Sequence, residues 1–256
     1  MDNYSEKNDT KTPFYSTLST ILILKKIFLL LIVHISFSSA FGQTTLISPT
    51  GDGGFESGTT FSSNNWTNTL GTSTQNQWVV NTGATAGFSG TRCAYVSQNS
   101  SSTPPPQTYL ISTIRATHFY RNITIPSGET DITLSFNWLG QGEGVFDRMR
   151  VWVVPTSNTP AYGTEITATG AAPTGRIQVG AINYSSQATW TSTSFKLPIA
   201  YAGTTVRLVF EWRNDGSLGT QPPAAIDNIS LISKILIAPA NDLCANATPL
   251  PCGTTN

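Results

Sequence analysis

The sequence predicts an all-β fold, a two-sheet jelly-roll sandwich, and three observations predict it. Three runs alternate apolar and polar residues with period two. Clusters rich in Gly, Asn, Ser and Pro separate them, and no helical period persists beyond two turns. Charged residues are only 11% of the 256, and the formal net charge is zero. That composition suits a turn-rich extracellular β protein rather than a disordered chain or a coiled coil.

The strands follow in order. Short signals lie near Gln77–Asn81, Arg92–Ser97 and His118–Ile125. Ile132, Leu134, Phe136 and Trp138 then alternate with Thr133, Ser135 and Asn137. Met149, Val151 and Val153 alternate with Arg148, Arg150 and Trp152. A strand near Thr189–Leu197 precedes the run Val206, Leu208, Phe210 and Trp212, and Ala225–Ile232 closes the series. Period two is the mark of a strand with one buried face. Breakers at Asn99–Pro106, Pro126–Gly128, Gly140–Gly144 and Asn214–Ser217 separate these runs. About nine strands at this spacing predict two packed sheets. One domain spans residues 44–235.

The ends differ in character. Residues 1–43 read as a leader and signal peptide. Lys25-Lys26 precedes the apolar run that starts Ile27–Val33, and Ser38, Ser39 and Ala40 offer a cleavage site after Ala40 or Gly42. The apolar run reaches only about Phe37, short of the ~20 residues a spanning helix needs. The mature protein is therefore expected to be secreted or at the cell surface, with no membrane insertion after cleavage. Its neutral balance gives no electrostatic case for nucleic acid. Residues 236–256 read as a linker and the opening of a following domain, where Cys244 and Cys252 can form a local disulfide in an oxidising compartment. Cys93 reads as a buried free thiol.

Two short acidic motifs mark opposite ends of the domain. Gly51-Asp52-Gly53-Gly54-Phe55-Glu56 opens it, and Ala225-Ile226-Asp227-Asn228-Ile229 closes it. Calcium takes several oxygen ligands, carboxylate and carbonyl mixed, and glycine-rich backbone can turn its carbonyls to one point. Asp52, Glu56 and Asp227 are the candidate ligands of a structural calcium joining the first and last strands. The plain alternative makes Asp52 and Asn228 turn formers and Glu56 a solvated side chain.

The Gly-Gly-Phe55-Glu56 opening, the Phe136-Asn137-Trp138-Leu139-Gly140 strand and the Ala225–Leu231 ending resemble galactose-binding-like carbohydrate-binding modules, MAM domains and the cleaved-adhesin domains of gingipain-type proteins. Ser89–Ala94, Thr108–Ser112 and Ala188-Thr189-Trp190 carry the last of these resemblances, which covers about residues 51–232. It implies a galactose-binding-like jelly-roll in which Glu56 and Asp227 hold a structural calcium. This chain has Asp227-Asn228 where many such modules have Asp-Asp. The tail from Asn241 to Cys252 resembles the start of a further module in Bacteroidetes-type secreted proteins, many of which end in a type IX secretion sorting domain.

Trp152 is out of phase with Met149, Val151 and Val153. It is the expected exposed ligand platform, flanked by Arg148 and Arg150, with Tyr120 as a weaker partner. The plain alternative is a tryptophan covering sheet under a loop. Glu143 and Asp147 flank a glycine-rich turn and raise the question of glycoside hydrolysis, but a solvated turn accounts for them. His118, the one histidine after the leader, has no GxSxG elbow near it. The reading is a non-catalytic adhesion or carbohydrate-binding module for a glycan or extracellular protein, near the start of a larger protein. A spacer domain and an accessory module of an extracellular hydrolase are the alternatives.

Overall fold

The computed structural model describes residues 42–82 and 87–236. In chain order the strands are β1 Thr44–Ile47, β2 Thr67–Asn68, β3 Gln77–Asn81, β4 Cys93–Ser97, β5 Arg115–Thr124 and β6 Asp131–Gly140. They continue as β7 Arg148–Pro155, β8 Ile177–Tyr184, β9 Gln187–Lys196, β10 Thr205–Asn214 and β11 Ala225–Lys234. The only helical pieces among the described residues are two three-residue 3₁₀ turns.

The strands form two antiparallel sheets. The first has the order β3-β4-β11-β6-β9, with β1 also on β11; the second has the order β2-β5-β10-β7-β8. β11 pairs with β6 along one side. Along the other it meets β4 at Ala225 and Ile226, then β1 at Leu231–Ser233. The first and last strands are thus neighbours, as a jelly-roll requires. The alternating runs behave as their period dictates. Phe136, Val151, Phe210 and Trp212 all point between the sheets.

Aromatic rings fill the centre of that space. Phe119 stacks on Phe210 with centroids 4.9 Å apart, and Phe136 meets Phe210 edge-on at 5.4 Å. Burying each such side chain stabilises the fold by roughly 1.5–3 kcal/mol, and the edge-to-face pairs add to that.

A bulge between Asp227 and Ser230 resets the phase of β11. Asn228 takes φ 50° there, so Ile226 and Ile229 both enter the core although three positions separate them. Asp227 is left beside the loop that precedes β4. The glycine-rich opening segment docks on the same bulge, where the Ile229 amide donates to the Gly53 carbonyl at 2.9 Å.

The sequence analysis did not name β1, β2 or β8. β1 and β2 are too short for a period to register. β8 is interrupted by Gly180 at φ 73° and exposes three consecutive residues. The expected signal segment and the expected Cys244–Cys252 disulfide lie outside the described residues. Among those described, no helix is long and apolar enough to cross a membrane.

Candidate functional site

Glu56 and Asp227 meet across one short loop. Phe55 is fully buried at φ 59°, a left-handed backbone that an aromatic residue adopts only under constraint. Its ring lies against Phe61, Trp66 and Phe119, which offsets the strain. That anchor turns Glu56 toward residues 89–92. Glu56 Oε1 accepts the amides of Thr91 and Arg92, both at 2.8 Å, and Oε2 accepts the Thr91 hydroxyl at 2.9 Å. The Arg92 guanidinium stands 3.5 Å from Oε2. Partial burial pushes the Glu56 carboxyl up, but these bonds and the guanidinium outweigh it and bring it below the usual range.

Asp227 holds the other half of the loop. Its Oδ2 accepts the Ser89 amide at 3.1 Å, and Oδ1 accepts the Asn228 amide at 2.7 Å. It is 0% exposed. Burial pushes its carboxyl up to about 6 against the pull of the Ser89, Asn228 and Phe88 amides, and Glu56 adds to the rise. No Lys or Arg among the described residues forms an ion pair with it. The same environment pushes the buried Cys93 thiol well above its ordinary range, by burial first and then by Asp227 and Glu56.

Asp52 does not join them. Its Oδ2 pairs with Arg121 at 2.7 Å, and its Oδ1 accepts the Asn65 side-chain amide at 2.9 Å. Its carbonyl accepts the Trp66 indole N–H at 2.8 Å. The expected trio is therefore a pair, with Asp52 turned toward β5. The pair fits a hard cation in one decisive respect: Asp227 is a buried carboxylate without a cationic partner, and such a group is costly to ionise alone. Glu56 already has Arg92 beside it.

The exposed Trp152 platform is a correction. Trp152 is 2% exposed and packs with Val154, Ile166 and Val209. The segment 156–176, between β7 and β8, lies over this outer face of the second sheet. Glu211 pins it from below, accepting the Ile166 amide at 2.6 Å, the Trp152 indole N–H at 3.2 Å and a bond with His118 Nε2 at 3.0 Å. Glu165 faces Arg148, Arg150 and Arg213 at 3.4, 3.5 and 2.6 Å. Arg207 lies over the Tyr120 ring at 4.6 Å and donates to the Asn158 carbonyl. All four expected ligand contacts are thus occupied in holding this strap.

Glu143 and Asp147 do converge, joined by Asp215, with ligand oxygens within 4.8 Å of one another. Asp147 is buried, and its oxygens accept the Tyr109 hydroxyl at 2.6 Å and the Asp215 amide at 2.9 Å. Burial pushes both the Glu143 and Asp147 carboxyls up. The Asp215 bond ties the β6–β7 turn to the β10–β11 turn, and the Tyr109 bond ties it to the segment between β4 and β5.

A groove of about 690 Å³ opens where the edge strands β2 and β3 of the two sheets face each other. Among the described residues its lining contains no Asp, Glu, Lys, Arg or His. Hydroxyl and amide side chains from Thr59–Ser62, Thr67, Asn68, Asn81 and Ser100–Thr103 surround a floor that includes Phe61, Trp66 and Trp78. This site is not legible in the sequence because its residues come from four segments, the Gln77–Asn81 strand and three that read as ordinary Ser/Thr/Asn turns.

No family model matches the chain, and no curated protein matches it. Solved structures do. A carbohydrate-binding module, TmCBM61 in complex with β-1,4-galactotriose, matches at 10% identity and TM-score 0.43, over 73% of this chain and 99% of that one. The K1 cleaved adhesin domain of Lys-gingipain from Porphyromonas gingivalis W83 matches at 19% identity and TM-score 0.40, over 74% and 97%. The Stig cyclase Fisc from Fischerella sp. TAU matches at 15% identity and TM-score 0.44, over 75% and 98%. Two of these are of kinds named from the sequence motifs. A fold does not select a function, so the chemistry of the chain's own surfaces must.

Proposed function

We propose that residues 44–235 form a non-catalytic, secreted or cell-surface module that binds a neutral glycan in the groove between β2 and β3. The observation that carries this reading is the lining: hydroxyl and amide groups over an apolar floor, with no formal charge. Such a surface hydrogen-bonds sugar hydroxyls and covers their C–H faces, yet gives no counter-charge to a uronate, sulfate or phosphate. Export rests on the Lys25-Lys26 and Ile27–Val33 pattern. A position within a larger adhesin or exoenzyme rests on the Pro-rich tail after residue 236.

Calorimetric titration tests it with neutral oligosaccharides and their sulfated counterparts of equal length. Neutral chains are expected to bind. Thr67→Arg, which places a guanidinium into the groove from an exposed position, is expected to abolish that binding. Tighter binding of the sulfated set, unchanged in Thr67→Arg, sinks the assignment.

A second reading rests on β3 itself. Among the described residues β3 is an edge strand paired only with β4, and the groove runs along its open side. An extended segment of an extracellular protein can add there as a further strand. Backbone bonds would then supply affinity with little dependence on Thr67.

The structural calcium is proposed at Asp227 with Glu56 nearby. Its contribution is to neutralise a buried carboxylate and so to tie the loop before β4 to the last strand.

A further inference from the structure

We infer that the outer face of the first sheet carries a second site, for a neutral polyhydroxylated chain, with Phe88 and Trp190 as its aromatic rim. It is independent of the groove between β2 and β3, which opens at the edge strands and not on this face.

Strand register builds the site. Asn137 of β6 lies opposite Ser192 of β9 and Asp227 of β11, and Ser135 lies opposite Ser194 and Ser230. These residues alternate with the core residues Leu134 and Phe136, so they share the outward face. Trp190 stands on that face two residues before Ser192, packed beside Leu139, Tyr95 and Ala225. A shallow cavity of about 360 Å³ lies over the row and is lined by Ser135, Asn137, Ser192, Ser194 and Asn228, with no charged side chain among the described residues. Asn137 Nδ2 donates to Ser192 Oγ at 2.6 Å, and Ser89 Oγ donates to Asn228 Oδ1 at 2.8 Å, so the polar groups are held in place.

Phe88 and Trp190 close one end, their centroids 6.2 Å apart at 70°. Phe88 is 47% exposed, a large apolar ring kept in solvent beside a half-buried indole at the end of the Ser/Asn row. Trp190 packs on the small apolar cluster of Cys93, Tyr95, Leu139 and Ala225, and Phe88 meets Trp190 while staying exposed. Asp227 holds Phe88 there, through the amides of Phe88 and Ser89. The far end of the row is closed by Asp131, which pairs with Lys196 and Lys234. From Trp190 to Ser194 the row runs about 13 Å at ordinary strand rise, the span of a short run of sugar rings. A ring whose C–H face covers Phe88 and Trp190 would direct its hydroxyls along Asn137, Ser192 and Ser194. Because the described lining of the cavity carries no charged side chain, the ligand class is neutral.

The test reads Trp190 directly. The full chain is labelled with 5-fluorotryptophan, its six resonances are assigned by single Trp→Phe variants, and neutral gluco-, galacto-, manno- and xylo-configured hexasaccharides are titrated to millimolar concentration. At least one hexasaccharide is expected to move the Trp190 resonance saturably. Phe88→Ala and Asn137→Ala should each weaken that response about tenfold while leaving the Trp66 and Trp78 resonances in place, which shows that the fold is intact. Shifts at Trp66 and Trp78 report the groove, so the two sites fail or succeed separately. A Trp190 resonance unmoved by every hexasaccharide, or a shift of undiminished affinity in both variants, overturns the second site.

Discussion

The carboxylate of Glu211 accepts the backbone amide of Ile166 at 2.6 Å, joining β10 to the segment that crosses the outer face of the second sheet. The same carboxylate takes the Trp152 indole and meets His118. All of these groups are buried. One side chain therefore determines whether Trp152 is a platform or an interior residue.

Replacing Glu211 by Ala leaves the Ile166 amide and the Trp152 N–H without partners in a dry site. Each such orphan costs about 1–3 kcal/mol, so the loss is expected to reach about 3 kcal/mol or more. Urea denaturation reads that loss as a lower midpoint. Acrylamide quenching reads the second consequence, a newly accessible tryptophan that Trp152→Phe removes. A variant with an unchanged midpoint would falsify the anchoring role.

Asp227 makes stability depend on pH with a sign that reveals whether a cation is present. Its folded carboxyl titrates at about 6, against about 3.9 for an unfolded aspartate. Between those values the folded state holds the extra proton, so stability falls as pH rises from 4 to 7, by up to about 3 kcal/mol. A bound calcium favours the ionised form and reverses that slope. Melting temperatures in chelator are expected to decline across the window, and in millimolar calcium to hold or rise. Asp227→Asn should flatten both curves. Identical slopes with and without calcium in the parent protein remove the metal from the site and leave the fold untouched.

The period-two runs at Ile132–Trp138, Met149–Val153 and Val206–Trp212 were legible because one-sided burial writes itself into every second residue. The adjacency of the first and last strands, β1 and β11, was legible because terminal strands of a jelly-roll are neighbours. Trp152 was misread for a physical reason. Being out of phase with the core places a residue on the outer face but does not say whether a distant segment covers that face, and Ile166 lies fourteen positions away in a stretch with no period. Arg121, which takes Asp52 out of the acidic trio, gives no local sign of its partner 69 residues earlier. The groove and the Phe88–Trp190 face escaped for the same cause: cross-strand register, not spacing along the chain, assembles them.

Gly53 gives the sharpest test of how the opening motif works. From sequence its glycines have one role, turning carbonyls toward an ion. At Gly53 the structure shows another, close backbone approach. A Cβ there would stand 1.8 Å from the Ile229 carbonyl oxygen and 3.0 Å from that of Ser48. Both obstacles are backbone, and Ile229 is fixed in the β11 bulge with its side chain in the core. Neither can yield as a flexible side chain would. Gly53→Ala must therefore lift the opening segment off the bulge, breaking the bond from the Ile229 amide to the Gly53 carbonyl and loosening Phe55 two residues on. The expected cost is about 3 kcal/mol or more, in the range of a lost core aromatic, and it should appear as a lower melting temperature in chelator and calcium alike. A Gly53→Ala loss that calcium fully restores would mean that the glycine serves the ion and not the close approach.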